Sequence, residues 1–317
     1  MEFKKIVIIG AGTMGHGIGQ TYASFGYDTT IIDINESSIE MAKKLVKVNI
    51  ETMLAADFIT QEQAKATEEN LRYTTDMKAA ADADLVVEAA PEDPDIKAVV
   101  FRQLDEICRK DAVLSTTTSS MNLYDEMSFV SNPERLLIIH WCNPPHIVPL
   151  VEIVAGADTK PGLVEAIRKQ LDDLGKTPVV LNQFVPGFIV NRLNLALMRE
   201  CSYMVEQGWI SAEDVDAAFS CNQGMKAPFE GPLEMVDYIG WDIGYAAGMI
   251  LYDEISSSTD PSNLALQLLN EGRLGLKSGR GIYDYSGKTR EEVQKARDSR
   301  VLEVVKLARR LRAEKNT

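Results

Sequence analysis

Short apolar runs alternate with amphipathic stretches along the first half of the chain. Most of these runs are continuously apolar and do not alternate with polar residues. Continuous runs are typical of strands in a parallel sheet that helices cover on both faces. The predicted strands span residues 5–10, 28–34, 83–90, 112–118, 135–141, 149–154 and 177–182. Helices are predicted between them, for example from Thr13 to Phe25 and from Ser37 to Ala55.

The pattern changes after the segment 182–187, which has the sequence NQFVPG. From Ile189 onward the apolar residues fall at helical spacing, and only the brief run 281–285 has strand character. We therefore predict an α/β domain with a doubly wound sheet over residues 1–183. An all-helical domain is predicted over residues 184–317.

Composition narrows the possible partners of the chain. Its hydrophobic content of 45% and charged content of 25% are those of an ordinary globular protein. The formal net charge of −14 argues against nucleic acid and anionic membranes as partners. No apolar run reaches about 18 residues, so no transmembrane helix is expected. Because Cys108, Cys142, Cys201 and Cys221 form no C-x-x-C pair, we expect neither a disulfide framework nor a metal site, and a reducing cytoplasm fits best.

A glycine motif follows the first predicted strand and opens the first predicted helix. Gly10, Gly12 and Gly15 form G-x-G-x-x-G. Gly10 allows the tight turn, Gly12 lets a pyrophosphate approach the backbone, and Gly15 lets the helix pack on the strand. The phosphates then meet the helix N-terminus, beside Thr13 and Met14. This context predicts a Rossmann-type dinucleotide site.

An acidic residue, Asp33, ends the second predicted strand. A carboxylate at this position accepts hydrogen bonds from the adenosine ribose and would repel a 2′-phosphate. The following INESS segment has no arginine to hold such a phosphate. We therefore predict NAD as the cofactor and not NADP. The alternative is a structural glycine turn followed by a surface aspartate.

The segment HWCNPPHIVPLVEIV, from His140 to Val154, places one histidine at the end of a predicted buried strand. Ligands of open α/β sheets bind at such strand ends. The two prolines after it force a turn into the next strand, which carries Glu152 in an apolar run. If the strands are neighbours, Glu152 can orient His140 as a general base. The alternative is a solvated glutamate on an edge strand. His146 is either a wall of the site or a substrate contact, and His16 is expected on a helix surface.

Several segments together resemble the L-3-hydroxyacyl-CoA dehydrogenase family over nearly the whole chain. They are GAGTMG, DLVVEAAPEDPDIK, STTTSSM, HWCNPPHIVPLVEIV, VPGFIVNRL and LGLKSGRGIYDY. The resemblance implies a Rossmann-type domain followed by a helical domain that carries a homodimer interface. It also implies NAD-dependent oxidation of a secondary alcohol β to a carboxyl or thioester carbonyl, in a cleft between the domains.

The resemblance assigns roles to individual residues. His140 falls on the family's catalytic base and Glu152 on its partner. Ser119 and Asn191 fall on the family residues that hydrogen-bond the reacting oxygen. Glu92 and Lys97 fall on the family residues that contact NAD.

The substrate is less constrained by the sequence. Family members that use CoA carry lysines in the helix after the second strand. The stretch 49–60 here has no basic residue and two acids, Glu51 and Asp57, although Lys43, Lys44 and Lys47 precede it. A 3-hydroxybutyryl-CoA-like thioester is the family default. The alternative is a small free hydroxy acid or polar alcohol of the gulonate, carnitine or pyridine-alcohol type.

Besides a NAD-sensing regulatory protein, which would need a DNA-binding charge pattern that this chain lacks, two protein classes are alternatives to this family. The 6-phosphogluconate-type dehydrogenases share the glycine motif but use a catalytic lysine where this chain has Arg192, which cannot act as a neutral base. A crystallin-like protein without activity is the second alternative, and the complete set of catalytic residue types argues against it.

Overall fold

The computed structural model describes residues 1–315, and it separates the chain into two compact units. The first unit is Met1–Ile189 and the second begins at Val190. The sequence prediction placed the boundary earlier, at Phe184. Phe184 and Phe188 both pack against the apolar core of the first unit, with ring centroids 5.9 Å apart, so the chain leaves that unit only after them.

An eight-stranded sheet forms the centre of the first unit, in the order β3-β2-β1-β4-β5-β6-β7-β8. The strands are β1 (Lys5–Ile9), β2 (Asp28–Ile32), β3 (Leu71–Thr74), β4 (Leu85–Glu88), β5 (Val113–Thr116), β6 (Leu136–Trp141), β7 (Leu150–Val154) and β8 (Thr177–Leu181). Every neighbouring pair is parallel except β6 and β7. The predicted doubly wound sheet is confirmed.

Helices cover both faces of this sheet. They are α1 (Gly15–Ser24), α2 (Glu36–Ala55), α3 (Gln61–Asn70), α4 (Pro94–Ile107), α5 (Leu123–Glu126) and α6 (Leu163–Asp173). Ile6 and Ile8 of β1 belong to one buried cluster, whereas Val7 and Ile9 belong to another. Because successive side chains of a strand point to opposite faces, this division explains the continuously apolar sequence of β1.

One strand, β3, was not predicted from the sequence. Its four residues, LRYT, are half polar, and Arg72 is exposed. The strand lies at the edge of the sheet and pairs only with β2. An edge strand with little burial does not need the continuous apolar run on which the prediction relied.

Helices form the second unit, as predicted. They are α7 (Val190–Glu206), α8 (Ala212–Cys221), α9 (Gln223–Lys226), α10 (Pro232–Ile239), α11 (Trp241–Leu251), α12 (Asn263–Asn270) and α13 (Arg290–Lys315). The run 281–285 forms no strand of its own, although Arg280 makes isolated bridges to Gly275 and Asp284. Residues 316 and 317, the end of the predicted second domain, lie outside the described residues. Within residues 1–315, no helix is both long and apolar enough to cross a membrane.

Candidate active site

The antiparallel pairing of β6 and β7 brings the predicted dyad together. His140 and Glu152 are direct partners in the ladder. Nδ1 of His140 donates to Oε2 of Glu152 over 2.7 Å, and both side chains are buried. The backbone N–H of Ile189 donates to the other carboxylate oxygen, also over 2.7 Å. Because the carboxylate fixes Nδ1 as the protonated nitrogen, Nε2 is the nitrogen that can accept a proton.

The surroundings of this dyad are largely apolar. The ring of Phe188 lies 5.3 Å from that of His140, centroid to centroid. Cys142 follows β6 directly, and its sulfur lies within 4.8 Å of a donor atom of both His140 and Glu152. Burial, together with the charge of Glu152, raises the pKa of the Cys142 thiol to about 11. The thiol is therefore protonated at neutral pH.

Ser119 lies beyond the end of β5, where Glu92 holds it. Its backbone N–H donates to Oε1 of Glu92 over 3.0 Å, and the hydroxyl of Thr118 donates to the same oxygen over 2.5 Å. Burial alone would raise the pKa of Glu92, but the hydrogen bond from Thr118 and the charge of Lys97 hold it below its usual value. Glu92 is thus a carboxylate that positions the Ser119 backbone.

Lys97 lies behind Glu92 in a buried ion pair. Its Nζ is 2.8 and 2.9 Å from the two carboxylate oxygens of Glu88 and 3.3 Å from Oε2 of Glu92. Glu88, which has no exposed surface, also accepts from the Ala90 backbone over 2.7 Å and from the Thr116 hydroxyl over 2.5 Å. Lys97 therefore neutralises Glu88 in addition to any contact with a cofactor.

Glu88 is a site residue that the sequence reasoning missed. The sequence does carry a signal for it, because Glu88 is an acid at the end of an apolar run. Glu152 is likewise an acid within an apolar run. Buried carboxylates need charged or hydrogen-bonding partners, so such an acid predicts a network around it.

The glycine loop has the geometry of a dinucleotide cradle. A Cβ at Gly10, where φ is +105°, would lie 2.6 Å from the Ala89 carbonyl oxygen. A Cβ at Gly15 would lie 1.8 Å from the Gly10 carbonyl oxygen. At Gly12, by contrast, no atom of residues 1–315 beyond Gly12 and its two chain neighbours lies within 4 Å of such a Cβ. The open space at Gly12 therefore lies beside the start of α1, where a pyrophosphate is favoured.

The other predicted cofactor residues lie around this loop. One carboxylate oxygen of Asp33 accepts from the Ala11 backbone and the other from the Asn35 backbone, each over 2.9 Å. Asp33 therefore supports the loop through both of its carboxylate oxygens. Thr13 is exposed and Met14 is half-buried.

His16 and His146 face each other, with ring centroids 6.2 Å apart. The expectation that His16 lies on a helix surface is wrong: it is buried, and its Nδ1 donates to the Gly12 carbonyl over 2.7 Å. Burial, with the neighbouring His16 and Lys176, lowers the pKa of His146 to about 3. Its Nδ1 has no hydrogen-bond partner among residues 1–315, and a Cβ at Gly17 would lie 2.9 Å from it. His146 is therefore a neutral packing residue.

The fourth predicted catalytic residue, Asn191, belongs to the second unit. It lies in the first turn of α7 and is half-buried. Within the first unit, the structure therefore places His140 with Glu152 and, separately, Ser119 with Glu92.

Two domain families match the chain in sequence. Residues 5–184 match the NAD binding domain of 3-hydroxyacyl-CoA dehydrogenase, and residues 187–285 match its C-terminal domain. The chain belongs to the 3-hydroxyacyl-CoA dehydrogenase family. It is therefore an NAD-dependent dehydrogenase of the class that acts on CH–OH groups, and the open cradle at Gly12 fits that cofactor.

Individual relatives differ in the substrates that they are named for. The chain is 35% identical to a 5-formyl-3-hydroxy-2-methylpyridine 4-carboxylate 5-dehydrogenase of Mesorhizobium japonicum, over 95% of this chain and 97% of that protein. It is 32% identical to a probable 3-hydroxybutyryl-CoA dehydrogenase of Bacillus subtilis, over 91% and 100%.

The similar solved structures also include both enzymes named for a pyridine carboxylate and enzymes named for a CoA thioester. The structure of a 5-formyl-3-hydroxy-2-methylpyridine 4-carboxylic acid 5-dehydrogenase, described as an NAD+-dependent dismutase, matches with a TM-score of 0.91 at 32% identity. The match covers 97% of this chain and 99% of that one. A 3-hydroxybutyryl-CoA dehydrogenase from Ralstonia eutropha has a TM-score of 0.74 at 27% identity, covering 90% and 100%.

Alanine at Gly12 and at Gly15 should have opposite consequences. Gly15→Ala should lower the free energy of unfolding by about 3 kcal/mol or more, because its Cβ meets backbone. Gly12→Ala should leave stability within about 1 kcal/mol of the parent but weaken NAD about tenfold or more, because its Cβ enters the open cradle. Urea unfolding and calorimetric NAD titration measure the two effects. Unchanged NAD affinity in Gly12→Ala would place the pyrophosphate elsewhere.

Proposed function

We propose that the protein interconverts a CH–OH group and its carbonyl, with His140 as the general base. The observation that carries the proposal is the 2.7 Å hydrogen bond between His140 and Glu152 at a carboxyl-terminal end of the sheet. Nε2 of His140 takes the hydroxyl proton, while Glu152 holds the ring and stabilises its imidazolium form. NAD would be held at the glycine loop by Gly12 and Asp33 and would supply the acceptor for the hydride of the carbinol carbon.

Ser119 and Asn191 are proposed to hydrogen-bond the reacting oxygen as it changes from hydroxyl to carbonyl. The contacts of Ser119 support this role, because Glu92 fixes its backbone. Glu92 in turn is held by Lys97 and Thr118. The chain thus supplies position and charge, and the hydride chemistry is that of the cofactor.

For the substrate we favour a small free carboxylate over a CoA thioester. The pyridine carboxylate enzyme shares more identity with this chain than the 3-hydroxybutyryl-CoA enzyme of Bacillus subtilis does, and its structural counterpart matches 97% of the chain. In addition, Glu51 near the end of α2 and Asp57 after it are both exposed. Exposed carboxylates at this place are unfavourable beside the phosphates of a CoA nucleotide.

A thioester is the second candidate, because a groove between α2 and α3 has basic residues. The groove measures about 540 Å³, and Lys43, Lys47 and Lys65 line it with Glu51 and Glu68. Lys43 is already paired with Glu40 over 2.7 Å, and Lys65 with Glu69 over 3.4 Å. Most of the positive charge in this groove is therefore balanced by the protein itself.

Removing the base should abolish turnover and spare the cofactor site. His140→Ala and Glu152→Gln should each lower kcat by about 10²-fold or more, the usual scale for groups that transfer or steer a proton. NAD affinity should stay close to that of the parent. His146→Ala is the matched control, since His146 lies in the loop that joins β6 to β7 and is a neutral packing residue. Steady-state kinetics measure all three, and substantial turnover in His140→Ala would refute the assignment.

A substrate panel separates the two candidates. The panel contains 5-formyl-3-hydroxy-2-methylpyridine 4-carboxylate, free 3-hydroxybutyrate, carnitine, gulonate and 3-hydroxybutyryl-CoA, each followed by NADH absorbance. We expect the highest kcat/KM with one of the compounds that lacks CoA. Activity confined to the thioester would refute the preference, while lack of activity with the whole panel would question the reaction itself.

We also infer that the second unit carries a homodimer interface. Several large apolar side chains of α10, α11 and the residue after α11 are each at least 69% exposed. Among them are Leu233, Tyr238, Tyr245, Met249 and Tyr252. The helices α10 and α11 contact each other, and large exposed apolar patches mark interaction sites. The free state of all four cysteines supports a reducing, cytoplasmic setting.

Light scattering should give about twice the chain mass of 35.1 kDa. Tyr245→Glu with Met249→Glu should halve that mass, because two charges would have to be buried in the contact. Val99→Glu, on exposed surface of the first unit, is the control and should leave the mass unchanged. A parent that is monomeric at micromolar concentration would contradict the inference.

A further inference from the structure

Three donors of different chemistry converge at the end of β6. They are an imidazole nitrogen of His140, the sulfur of Cys142 and a carboxylate oxygen of Glu152, all within 4.8 Å of one another. The backbone explains the convergence. Cys142 directly follows the last residue of β6, two positions after His140, and Glu152 is the direct ladder partner of His140.

We propose that His140, Cys142 and Glu152 form an inhibitory site for a thiophilic divalent cation such as Zn²⁺. Zinc takes about 2.0–2.2 Å to nitrogen or oxygen and about 2.3 Å to sulfur, in a tetrahedron whose donors are then roughly 3.3–3.8 Å apart. In the structure the three donors lie within 4.8 Å of one another, so small side-chain rotations bring them to those distances. Three protein ligands leave a fourth position for water. A nitrogen, sulfur and oxygen set favours zinc over magnesium or calcium.

The charge balance of the site supports a dication. His140 and Glu152 are buried, where uncompensated charge is costly. A zinc ion bound by one thiolate, one carboxylate and one neutral imidazole gives a complex with no net charge. Binding releases one net proton, that of the thiol, to solvent; the Nδ1 proton of His140 exchanges through solvent to Nε2, so that the imidazole stays neutral, and nothing is oxidised or reduced.

Inhibition follows from the same geometry. The His140–Glu152 hydrogen bond is 2.7 Å long, which is shorter than two ligands of one zinc ion can approach. An ion that binds Nδ1 and Oε2 must therefore separate these two atoms and break their hydrogen bond. His140 is then a metal ligand whose orientation Glu152 no longer sets for proton transfer. The inhibitory half of the proposal rests on the proposed function, whereas metal binding does not.

Cobalt absorption tests binding without any assay of activity. Co²⁺ bound to a thiolate gives a charge-transfer band in the near ultraviolet, which carboxylates on this acidic surface cannot produce. Full-length parent and Cys221→Ser should show the band at one equivalent, and Zn²⁺ should displace it. Cys142→Ser and Cys142→Ala should lack it. Absence of the band in the parent, or its persistence in both Cys142 variants, would overturn the site.

Turnover then tests inhibition, with each variant compared to its own rate in chelator. In the parent and in Cys221→Ser, zinc should inhibit at the concentration that displaces cobalt, and chelator should restore the rate. In Cys142→Ser the half-inhibitory zinc concentration should rise about tenfold or more. Loss of a residue that only supports a metal ligand already lowers metal affinity by that factor, and Cys142 is proposed as a ligand itself. Cobalt binding without inhibition would overturn the inhibitory role. If the parent shows the cobalt band but has no turnover in chelator, the proposed dehydrogenase reaction is refuted and the metal site stands.

Discussion

The antiparallel step between β6 and β7 is the constraint on which the candidate site depends. All other neighbouring strands of the sheet are parallel, and parallel neighbours need a long crossover connection. The reversal lets a loop of residues 142–149 return the chain beside itself, so that Glu152 faces His140. A slip of one residue would turn Glu152 to the other face of the sheet and remove the dyad.

Lys176 contributes to this register from outside the two strands. Its ammonium donates to the carbonyls of Pro145 and Val148, over 2.5 and 3.1 Å, and lies 5.3 Å from the ring centroid of Trp141. A buried cation that binds two loop carbonyls restricts the conformations of the loop. The geometry of the dyad is therefore maintained by the loop as well as by the strands.

Glu88 and Glu152 solve the same physical problem at two places in the sheet. Each is fully buried, Glu88 at the carboxyl end of β4 and Glu152 in the middle of β7, and each has hydrogen bonds on both oxygens. Burial of a lone carboxylate costs several kcal/mol, so each one requires partners in fixed positions. Glu152 thereby orders His140 and the chain at Ile189, and Glu88 orders Lys97 and, through Glu92, the segment at Ser119. The buried acids thus position the residues for which we propose contacts with substrate and cofactor.

Local patterns predicted much of this arrangement. Continuous apolar runs identified the buried strands, and the glycine motif with Asp33 identified the cofactor cradle, because both depend on residues close in sequence. The strand β3 was missed since an edge position relaxes the apolar pattern. The contacts of Lys97 with Glu88, and of His146 with α1, join distant segments and leave no periodic trace in the sequence. The sulfur of Cys142 was overlooked for the same reason, since its neighbours come from across a ladder.

The neutrality of His146 limits how a free carboxylate could be recognised. A cationic histidine in the loop would have been an obvious partner for an anionic substrate. Burial beside His16 and Lys176 prevents that charge, with a pKa of about 3. Protonating the ring at neutral pH would cost roughly 1.4 kcal/mol for each pH unit above that value. Selection of a carboxylate would have to rely on cations or N–H donors outside the His16–His146 pair, which leaves the loop to select the shape of the substrate and not its charge.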